Sequence, residues 1–405
     1  MKDEQNKKEL PDDWKWSKLG NEFRTTSGGT PSRREPKYYT GKIPWVKSGE
    51  LDKGLITDTE EKISEEAINT SSAKIFPKGT LLIALYGATI GKLAFLGVDA
   101  ATNQAICGIY KNENINSDFL YHYLFFKKQK LVDQGIGGAQ PNISQTILKN
   151  LDLPIPPKPI QQAIVSKIEE LFSELDKGIE NLLTAQQQLK IYRQSVLKWA
   201  FEGRLTNKNV KEGELPEGWK VLKLRDVTNK ISIKALPKDF PDAKFVGMDC
   251  IAPHTMKPFF LYDFKEFKSA GSYFKINHVL YGRMRPYLNK VYKAEFNGAC
   301  SGEFIILECS EALNPDLLKY ILHSKNFVSF ANSITTGDRP RISFDEISEY
   351  IIKLSPINEQ LAIVQAIETR LSVADKMQET ITQSLQQSEA LRQSILKMAF
   401  EGKLV

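Results

Sequence analysis

The sequence contains a long internal repeat, which constrains the fold more than any other feature. Residues 159–205 align with residues 358–404 without a gap, and 22 of the 47 aligned positions are identical. The strongest block reads RQSVLKWAFEGRL from Arg193 and RQSILKMAFEGKL from Arg392. Each half also opens on a similar segment, LPDDW from Leu10 and LPEGW from Leu215. A repeat of about 200 residues is too long for a solenoid and indicates a duplicated domain with its connector.

The repeat divides the 405 residues into four segments. We predict a first body at residues 1–154, a first connector at 155–205, a second body at 206–353 and a second connector at 354–405. Two similar halves in one chain most simply lie about a pseudo-two-fold axis.

Both connectors have the pattern of long helices. Apolar residues recur with a heptad period at Ile168, Leu175, Leu182, Leu189 and Val196. This period predicts coiled-coil-like helices of about 40 residues and roughly 60 Å. Gly203 and Gly402 stand where C-terminal caps belong. We expect the small residues Gly178, Ala374 and Ser388 to let the two helices approach closely.

The bodies show short strand-like runs separated by glycine-rich turns, with a helical pattern near the end of each. This combination indicates α+β domains. The predicted fold is therefore two mixed domains related by a pseudo-two-fold axis, joined and separated by two long antiparallel helices.

Composition places the chain among globular proteins. Apolar residues make up 41% and charged residues 26%. The N-terminus lacks an apolar signal core, and the four cysteines show no regular spacing, so we expect reduced thiols and a cytoplasmic location. The net charge of +6 is mildly basic and lies mostly on the bodies, so any polyanion should contact the bodies.

Motifs for catalysis are not found. Gly87–Lys92 fails the phosphate-loop pattern, because only three residues separate the glycines and Leu93 replaces the hydroxyl residue. We interpret it as a turn between strands. The four histidines are scattered, and no spacing typical of a metal site occurs. The sequence predicts a protein that is not itself an enzyme.

The loops instead carry hydroxyl, amide and cationic side chains that suit DNA phosphates and base edges. In the first body, residues 25–34 read as a flexible stretch of this kind. The candidate DNA contacts of the first body are Ser27, Thr30, Ser32, Arg33, Arg34, Lys47, Ser48, Tyr86, Thr89, Lys92, Gln140 and Asn142. Those of the second body are Lys234, Arg283, Arg285, Lys290, Arg339 and Arg341.

Arginine is the side chain that reads guanine with two hydrogen bonds, and lysine usually contacts phosphate. Four arginines on loops of the second body are therefore its strongest signal for DNA. Ser343 and Glu346 follow them with the spacing of a capping box, which predicts a helix start there.

Taken together, these segments resemble a type I restriction–modification specificity subunit. The resemblance rests on the LPxxW openings, on GGTP from Gly28, IPWV from Ile43 and QPNIS from Gln140, and on the twin RQSxLKxAFEG tails. It covers essentially the whole chain.

The resemblance implies two target-recognition domains, each reading one half of an asymmetric bipartite DNA site, with a helix pair that sets the gap between them. It also implies two methyltransferase subunits and two restriction subunits as partners. S-adenosylmethionine, ATP and Mg would then be bound by those partners and not by this chain. Aromatic and apolar residues near the helix ends are the predicted docking residues: Trp199, Phe201, Met398 and Phe400.

Three alternatives remain at this stage. A stand-alone DNA-binding protein would be site-specific without a partner. A coiled-coil scaffold would show no salt-dependent DNA binding. A stand-alone methyltransferase would bind S-adenosylmethionine, although no motif for it is found.

Overall fold

The computed structural model describes residues 10–134, 142–207, 209–211 and 213–405. The chain divides into two compact units. The first unit comprises Met1–Asn181 with Ser384–Val405, and the second comprises Leu182–Gln383. Both boundaries fall inside the long helices, so each unit contains one body and a part of both helices.

The first body consists of short strands and helices. Its strands are β1 (Lys15–Lys18), β2 (Thr25–Ser27), β3 (Ile43–Val46), β4 (Leu55–Ile56), β5 (Glu61–Ile63), β6 (Ile75–Phe76), β7 (Leu81–Ala84), β8 (Leu93–Leu96), β9 (Ala100–Thr102), β10 (Ile106–Ile109) and β11 (Asp152–Ile155). Its helices are α1 (Leu19–Glu22), α2 (Glu65–Thr70), α3 (Ser117–Asp133) and α4 (Gln145–Lys149). The first long helix, α5 (Lys158–Phe201), follows β11.

The second body has the same character. Its strands are β12 (Lys220–Lys223), β13 (Thr228–Ile231), β14 (Ile233–Ala235), β15 (Lys244–Val246), β16 (Tyr262–Asp263), β17 (Gly271–Phe274), β18 (Val279–Gly282), β19 (Val291–Lys293), β20 (Gly298–Cys300), β21 (Phe304–Cys309) and β22 (Ile351–Leu354). Its helices are α6 (Pro315–His323), α7 (Lys325–Ser333) and α8 (Phe344–Ser348). The second long helix is α9 (Ile357–Phe400).

The two bodies share most of their sheet topology despite their divergent sequences, although β4 of the first body and β14 of the second have no equivalent strand among the described residues. In the first body, β2-β10-β7-β8-β4 and β5-β3-β9-β6 form two sheets, and β1 pairs with β11. In the second body, β13-β21-β18-β19 and β14-β17-β20-β15-β16 form two sheets, and β12 pairs with β22. Each body also contains an equivalent parallel pair, β3 with β9 and β15 with β20. The duplication detected in the tails therefore extends through the bodies.

The long helices confirm the prediction from the heptad pattern. Each has 44 residues, which gives about 66 Å at 1.5 Å per residue. Both end at the predicted glycine caps, where Gly203 has φ of 76° and Gly402 has φ of 70°. Positive φ is the conformation in which glycine is favoured.

Each long helix contributes to the cores of both units. In the first unit, Ile164 and Ile168 near the start of α5 share a hydrophobic cluster with Leu396 and Ala399 near the end of α9. In the second unit, the repeat-equivalent residues of the opposite helices share the other large cluster: Val196, Ala200, Ile363, Val364 and Ile367. The same repeat positions thus perform the same packing in each unit.

Ion pairs show that the helices run antiparallel within each unit. Arg392 pairs with Asp176 in the first unit, and Arg193 pairs with Asp375 at 2.6 Å in the second. These two pairs are repeat equivalents, because both partners are shifted by the same repeat length. Their side chains are partly exposed, so each contributes little to stability but marks the register.

The small-residue expectation is wrong for Gly178. A Cβ added there would meet no heavy atom within 4 Å, so Gly178 does not lie at a close helix contact. Ala374 is fully buried, as a contact residue should be.

The LPxxW openings pack against the helix caps. A Cβ on Gly203 would lie 2.3 Å from Pro216 Cγ, and one on Gly402 would lie 2.4 Å from Pro11 Cγ. Each opening therefore covers the cap of the helix that ends in its own unit. This contact explains why the LPxxW and FEG segments recur together in the sequence.

A buried glutamine fixes the start of α5 to the first body. Gln161 is 1% exposed. Its Oε1 accepts a hydrogen bond from the Asn116 amide at 2.7 Å. Its Nε2 donates to the carbonyls of Pro156 at 2.9 Å and Asn114 at 3.3 Å. Every polar atom of the side chain is therefore satisfied in the core.

Gln360 repeats this arrangement in the second unit. It is fully buried, accepts from the Asn314 amide at 2.8 Å and donates to the carbonyls of Ala312 and Ser355. The two glutamines are identical positions of the ungapped repeat. In the parts of the chain that the structure describes, no helix is both long and apolar enough to cross a membrane.

Candidate nucleic-acid interface

Two loops of the second body meet at the end of β18 and carry most of its candidate residues. Met284 and Arg341 form an antiparallel bridge. The Arg285 amide donates to the Pro340 carbonyl at 2.8 Å, and the Ile342 amide donates to the Arg283 carbonyl at 3.0 Å. We call Arg283–Arg285 and Arg339–Arg341 the arginine loops. The four arginines form two pairs in the sequence, more than 50 residues apart, and the structure brings the two pairs together.

The first body has the equivalent pairing at the end of β7. Tyr86 and Asn142 form a bridge, and the Ile143 amide donates to the Leu85 carbonyl at 2.8 Å. Tyr86 is half-buried, and burial raises the pKa of its phenol. Asn142 is exposed, whereas Gln140 lies outside the described residues.

The arginine loops differ in how their charges are placed. Arg341 pairs with Glu303 at 3.1 Å. Arg283 lines a cavity of about 180 Å³, and its Nε is buried without a hydrogen-bond partner among the described residues. Arg285 and Arg339 are exposed and have no ion-pair partner in the described part of the chain. A phosphate or base acceptor would satisfy these donors.

Short helical turns position both arginine loops. Arg285 has φ of 49°, a left-handed conformation that is uncommon outside glycine and costs free energy. After Arg341, the predicted capping box is confirmed, since Ser343 Oγ accepts from the Glu346 amide at 3.3 Å and the Glu346 carboxylate accepts from the Ser343 amide.

The other two cations of the second body are placed differently. Lys290 Nζ donates to the Met248 carbonyl at 2.7 Å, and burial lowers the pKa of this ammonium. Lys290 therefore ties two loops together within the body. Lys234 lies exposed on β14, opposite Ser272.

In the first body, three predicted cations are held by carboxylates of the same body. Arg33 pairs with Glu61 at 2.6 Å and lies over the Tyr39 ring. Lys47 pairs with Glu60 at 2.8 Å and with Glu61 at 3.2 Å. The hydrogen bond from Arg33 is the main cause that lowers the pKa of the Glu61 carboxyl. The charges of Arg33 and Lys47 are thus neutralised locally.

Lys92 follows the same pattern through its ion pair with Asp52 at 2.6 Å. The Gly87–Lys92 segment forms the turn between β7 and β8, as predicted from its glycines. Arg33, Lys47 and Lys92 stay candidate DNA contacts, and the structure adds that acidic residues distant in the sequence lie beside them. Arg34 remains exposed.

The expectation of a flexible segment at residues 25–34 is wrong. The Gly29 carbonyl accepts from Trp45 Nε1 at 3.1 Å, and the Pro31 carbonyl accepts from the Tyr39 hydroxyl at 2.6 Å. A Cβ on Gly28 would lie 2.0 Å from Thr102 Oγ1. The GGTP and IPWV elements therefore pack together as part of the body.

The hydroxyl candidates of the first body lie around this packed segment. Ser27 Oγ accepts from Gln145 Nε2 at 2.6 Å, and the Thr30 hydroxyl donates to Gln104 Oε1. Ser32 is exposed, whereas Ser48 and Thr89 are partly exposed.

Comparison with known proteins decides the family. The sequence model described as type I restriction modification DNA specificity domain matches residues 11–185 and 216–387. The chain belongs to this family. It carries two copies of the domain, as the repeat indicated.

Individual members of the specificity family are similar over most of the chain. The EcoDI specificity subunit of Escherichia coli is 25% identical over 422 residues, covering 98% of this chain and 89% of the relative. The MjaIX specificity subunit of Methanocaldococcus jannaschii is 31% identical over 231 residues, covering 54% of this chain and 52% of the relative.

Solved structures of this family confirm the predicted fold class. The HsdS subunit from Thermoanaerobacter tengcongensis matches with a TM-score of 0.64 at 19% identity, over 98% of this chain and 99% of that chain. A chain from a study of assembly and conformational transition of the type I R-M system matches with a TM-score of 0.76 at 19% identity, over 98% and 100% of the two chains.

The docking residues predicted for this specificity protein divide into buried and accessible side chains. Phe400 is 4% exposed, and its ring packs against Phe119, Tyr123 and Phe126 with centroid distances of 5.3, 4.9 and 5.7 Å. Phe400 therefore belongs to the core of the first unit, and the prediction of a docking surface there does not fit its burial.

The other three predicted docking residues keep some exposed surface. Phe201 and Trp199 are partly exposed, and Met398 is 37% exposed. Among the described residues, no group of His, Cys, Asp or Glu is arranged to hold a metal ion.

Proposed function

We propose that this chain selects the DNA sequence on which a type I restriction–modification complex acts, with each body reading one half of a bipartite, asymmetric site. One observation carries the proposal. The two units repeat their sheets, their buried glutamine and their paired loops, yet they carry different side chains on those loops. A duplicated frame with divergent loops is what two different half-sites require.

The loop chemistry supports reading in the major groove. The exposed guanidinium groups of Arg285 and Arg339 suit guanine or phosphate, and the exposed amide of Asn142 suits adenine. We propose that the second body reads its half-site mainly through the arginine loops and the first body through Asn142, Arg34 and the hydroxyls beside them.

We further propose that the long helices set the gap between the half-sites. Half-sites read from one face of B-DNA lie about one helical turn, roughly 34 Å, apart. Deleting one heptad between the two ion pairs, residues 181–187 with the equivalent residues 380–386, would keep both ion pairs and the heptad phase. The helices would shorten by about 10 Å.

The expected result is a gap about three base pairs shorter, with both half-site sequences unchanged. A change in either half-site, with the gap constant, would contradict the spacer role. The gap is read by sequencing methylated adenines in cells that co-express the methyltransferase subunit.

We also propose that the methyltransferase subunits dock on the long helices, and that S-adenosylmethionine, ATP and Mg are bound by the partner subunits. Six large apolar side chains on these helices are exposed to the extent of 46–64%: Leu183, Ile191, Leu361, Val373, Met377 and Leu391. Exposed apolar surface of this kind is typical of an interface. The double variant Ile191→Glu with Met377→Glu should abolish the complex, whereas Gln187→Glu with Gln188→Glu adds the same charge and should leave it intact.

The experiment that tests the whole proposal is co-expression with a neighbouring candidate methyltransferase, followed by methylome sequencing. We expect a bipartite motif with a fixed gap that disappears when this chain is deleted. Binding of DNA without any complex would favour a stand-alone DNA-binding protein, and methylation by the isolated chain would favour a methyltransferase. Either outcome would refute the proposal.

A further inference from the structure

Two adjacent phenylalanines lie on the surface of the second body and are not part of its hydrophobic core. Phe259 is 69% exposed and Phe260 is 36% exposed. They end the segment between Ile251, which pairs with Pro258, and β16. We call Phe259 and Phe260 the aromatic tip. Two adjacent exposed phenylalanine rings form an apolar surface of the kind that a partner can cover.

The aromatic tip is anchored to the core by a series of ring contacts. The Phe259 and Phe260 centroids lie 4.9 Å apart, and Phe260 lies 4.9 Å from Tyr262. Tyr262 contacts Phe267 at 5.4 Å, and Phe267 contacts the buried Phe245 at 4.2 Å. The first three of these contacts are edge-to-face and the last is tilted, and ring contacts of this kind restrict ring orientation. The exposed rings therefore stand on a fixed base and are not on a free loop.

The same segment is bonded to the turn that carries Arg285. The His254 amide donates to the Leu288 carbonyl at 2.8 Å, and His254 holds a left-handed φ of 59°. Tyr287, between Arg285 and Leu288, is 43% exposed. The segment that ends in the aromatic tip is thus hydrogen-bonded to the turn after Arg285, which is one of the arginines proposed to read DNA.

The first body has no counterpart. Its corresponding segment, residues 54–60, contains no aromatic residue, and the exposed large apolar side chain there is Leu55. The aromatic tip is therefore a property of the second half-site reader alone and not of the shared frame.

We propose that the aromatic tip contacts the DNA half-site read by the second body by stacking Phe259 on, or wedging it between, adjacent bases. This inference rests on the proposed function. The arginines supply charge complementary to the phosphates on either side, while phenylalanine inserted at a base step unstacks it and bends the duplex. Stacking on a base depends on the π-face and tolerates any sequence, so the contact strengthens binding without adding base readout.

The test uses the complex of the full chain with its methyltransferase and a duplex that carries the motif found by methylome sequencing. 2-Aminopurine replaces one base at a time in the second half-site, because its fluorescence rises when it is unstacked. The variants are Phe259→Ala, Phe259→Trp and, as an equally apolar surface control, Ile276→Ala, whose side chain is 53% exposed.

We expect the wild-type complex to raise 2-aminopurine fluorescence at one base step. Phe259→Ala should remove this rise and weaken DNA binding about tenfold. Phe259→Trp should restore both the fluorescence rise and the affinity. Ile276→Ala should match wild type. The inference is overturned if Phe259→Ala leaves fluorescence and affinity unchanged, or if it prevents assembly with the methyltransferase, which would make the tip a protein interface. If the wild-type complex fails to bind a bipartite site at all, the proposed function fails first, and the two failures are thus distinguishable.

Discussion

In the first unit, three of the four candidate cations are neutralised by carboxylates, whereas in the second unit two residues of the arginine loops have no such partner among the described residues. Arg33 and Lys47 pair with glutamates of their own body, while Arg285 and Arg339 are exposed and lack a partner among the described residues. The interiors, in contrast, repeat closely. The two units thus share the buried glutamine and the packing of the helix ends, and differ in the candidate contact residues on their loops.

The physical reason lies in the cost of altering buried groups. Gln161 and Gln360 each satisfy three backbone groups inside the protein, so a substitution would strand several polar atoms at once. Surface residues carry no such penalty and are free to diverge. The comparison predicts that equivalent changes at the two buried glutamines will destabilise the two units alike, and that a surface change in one body will affect only the half-site which that body reads.

The largest expected effect comes from truncating Phe400. Its ring fills the core of the first unit, so Phe400→Ala should lower the free energy of unfolding by about 3–5 kcal/mol. Phe201, its repeat equivalent, is only partly buried, and Phe201→Ala should cost less than half as much. Urea unfolding followed by hydrogen exchange, which resolves the two units, measures both. Equal losses would show that the two helix ends pack alike.

The second prediction concerns the buried glutamines. Gln161→Leu and Gln360→Leu should each destabilise their own unit by about 3 kcal/mol, because backbone donors and acceptors are left without partners in the core. Gln188→Leu, at an exposed position of α5, is the control and should have little effect. Hydrogen exchange of the backbone amides of Asn116 and Asn314 reports each site directly. If only one of the two variants lost stability, the buried glutamines would not have equivalent roles in the two units.

Local signals made much of this frame predictable. The heptad period, the capping glycines and the Ser343–Glu346 spacing each act within a few residues, and the structure has the helix ends that they predict. Ion pairs over long separations were not predictable, since Glu61 lies 28 residues from Arg33 and Asp52 lies 40 residues from Lys92. A local sequence pattern does not indicate which distant residue will form an ion pair.

The role of Phe400 was likewise not predictable, because it depends on tertiary packing. The same holds for the packing of the end of each long helix in the unit that contains the start of the other. An apolar residue near a helix end has the same sequence pattern whether it packs in its own core or awaits a partner. The repeat did contain the signal for Gln161 and Gln360, because both are identical in the gapless alignment. Sequence identity between the two positions does not distinguish a buried, hydrogen-bonded glutamine from one on a surface that both units use.

The third prediction is a loss of stability in mild acid, shared by both units. Burial lowers the pKa of His122 on α3 and of His323 on α6 to about 4 in each case. An unfolded histidine titrates near 6.5, so the unfolded chain binds more protons between these values and stability rises with pH. Between pH 7 and pH 5 each histidine should cost about 2 kcal/mol.

His122→Leu and His323→Leu should each remove one part of this acid sensitivity. Unfolding midpoints measured from pH 7 to pH 5 in the single and double variants give the two contributions. If the double variant is as sensitive to acid as the wild type, other titratable groups cause the effect. The two histidines would then not be a shared source of acid sensitivity in the two units.

The smallest expected effect separates the two surfaces. Arg339→Gln should weaken DNA binding of the assembled complex about tenfold and reduce the slope of log affinity against log salt by about one, because a phosphate or guanine contact is lost. Lys47→Gln removes the same charge from the first body. Since the Lys47 ammonium is held by Glu60 and Glu61, no phosphate contact is lost and the slope should stay near the wild-type value. Equal slopes for the two variants would mean that DNA draws Lys47 out of its ion pairs, and the contrast between the units would then hold only for the free protein.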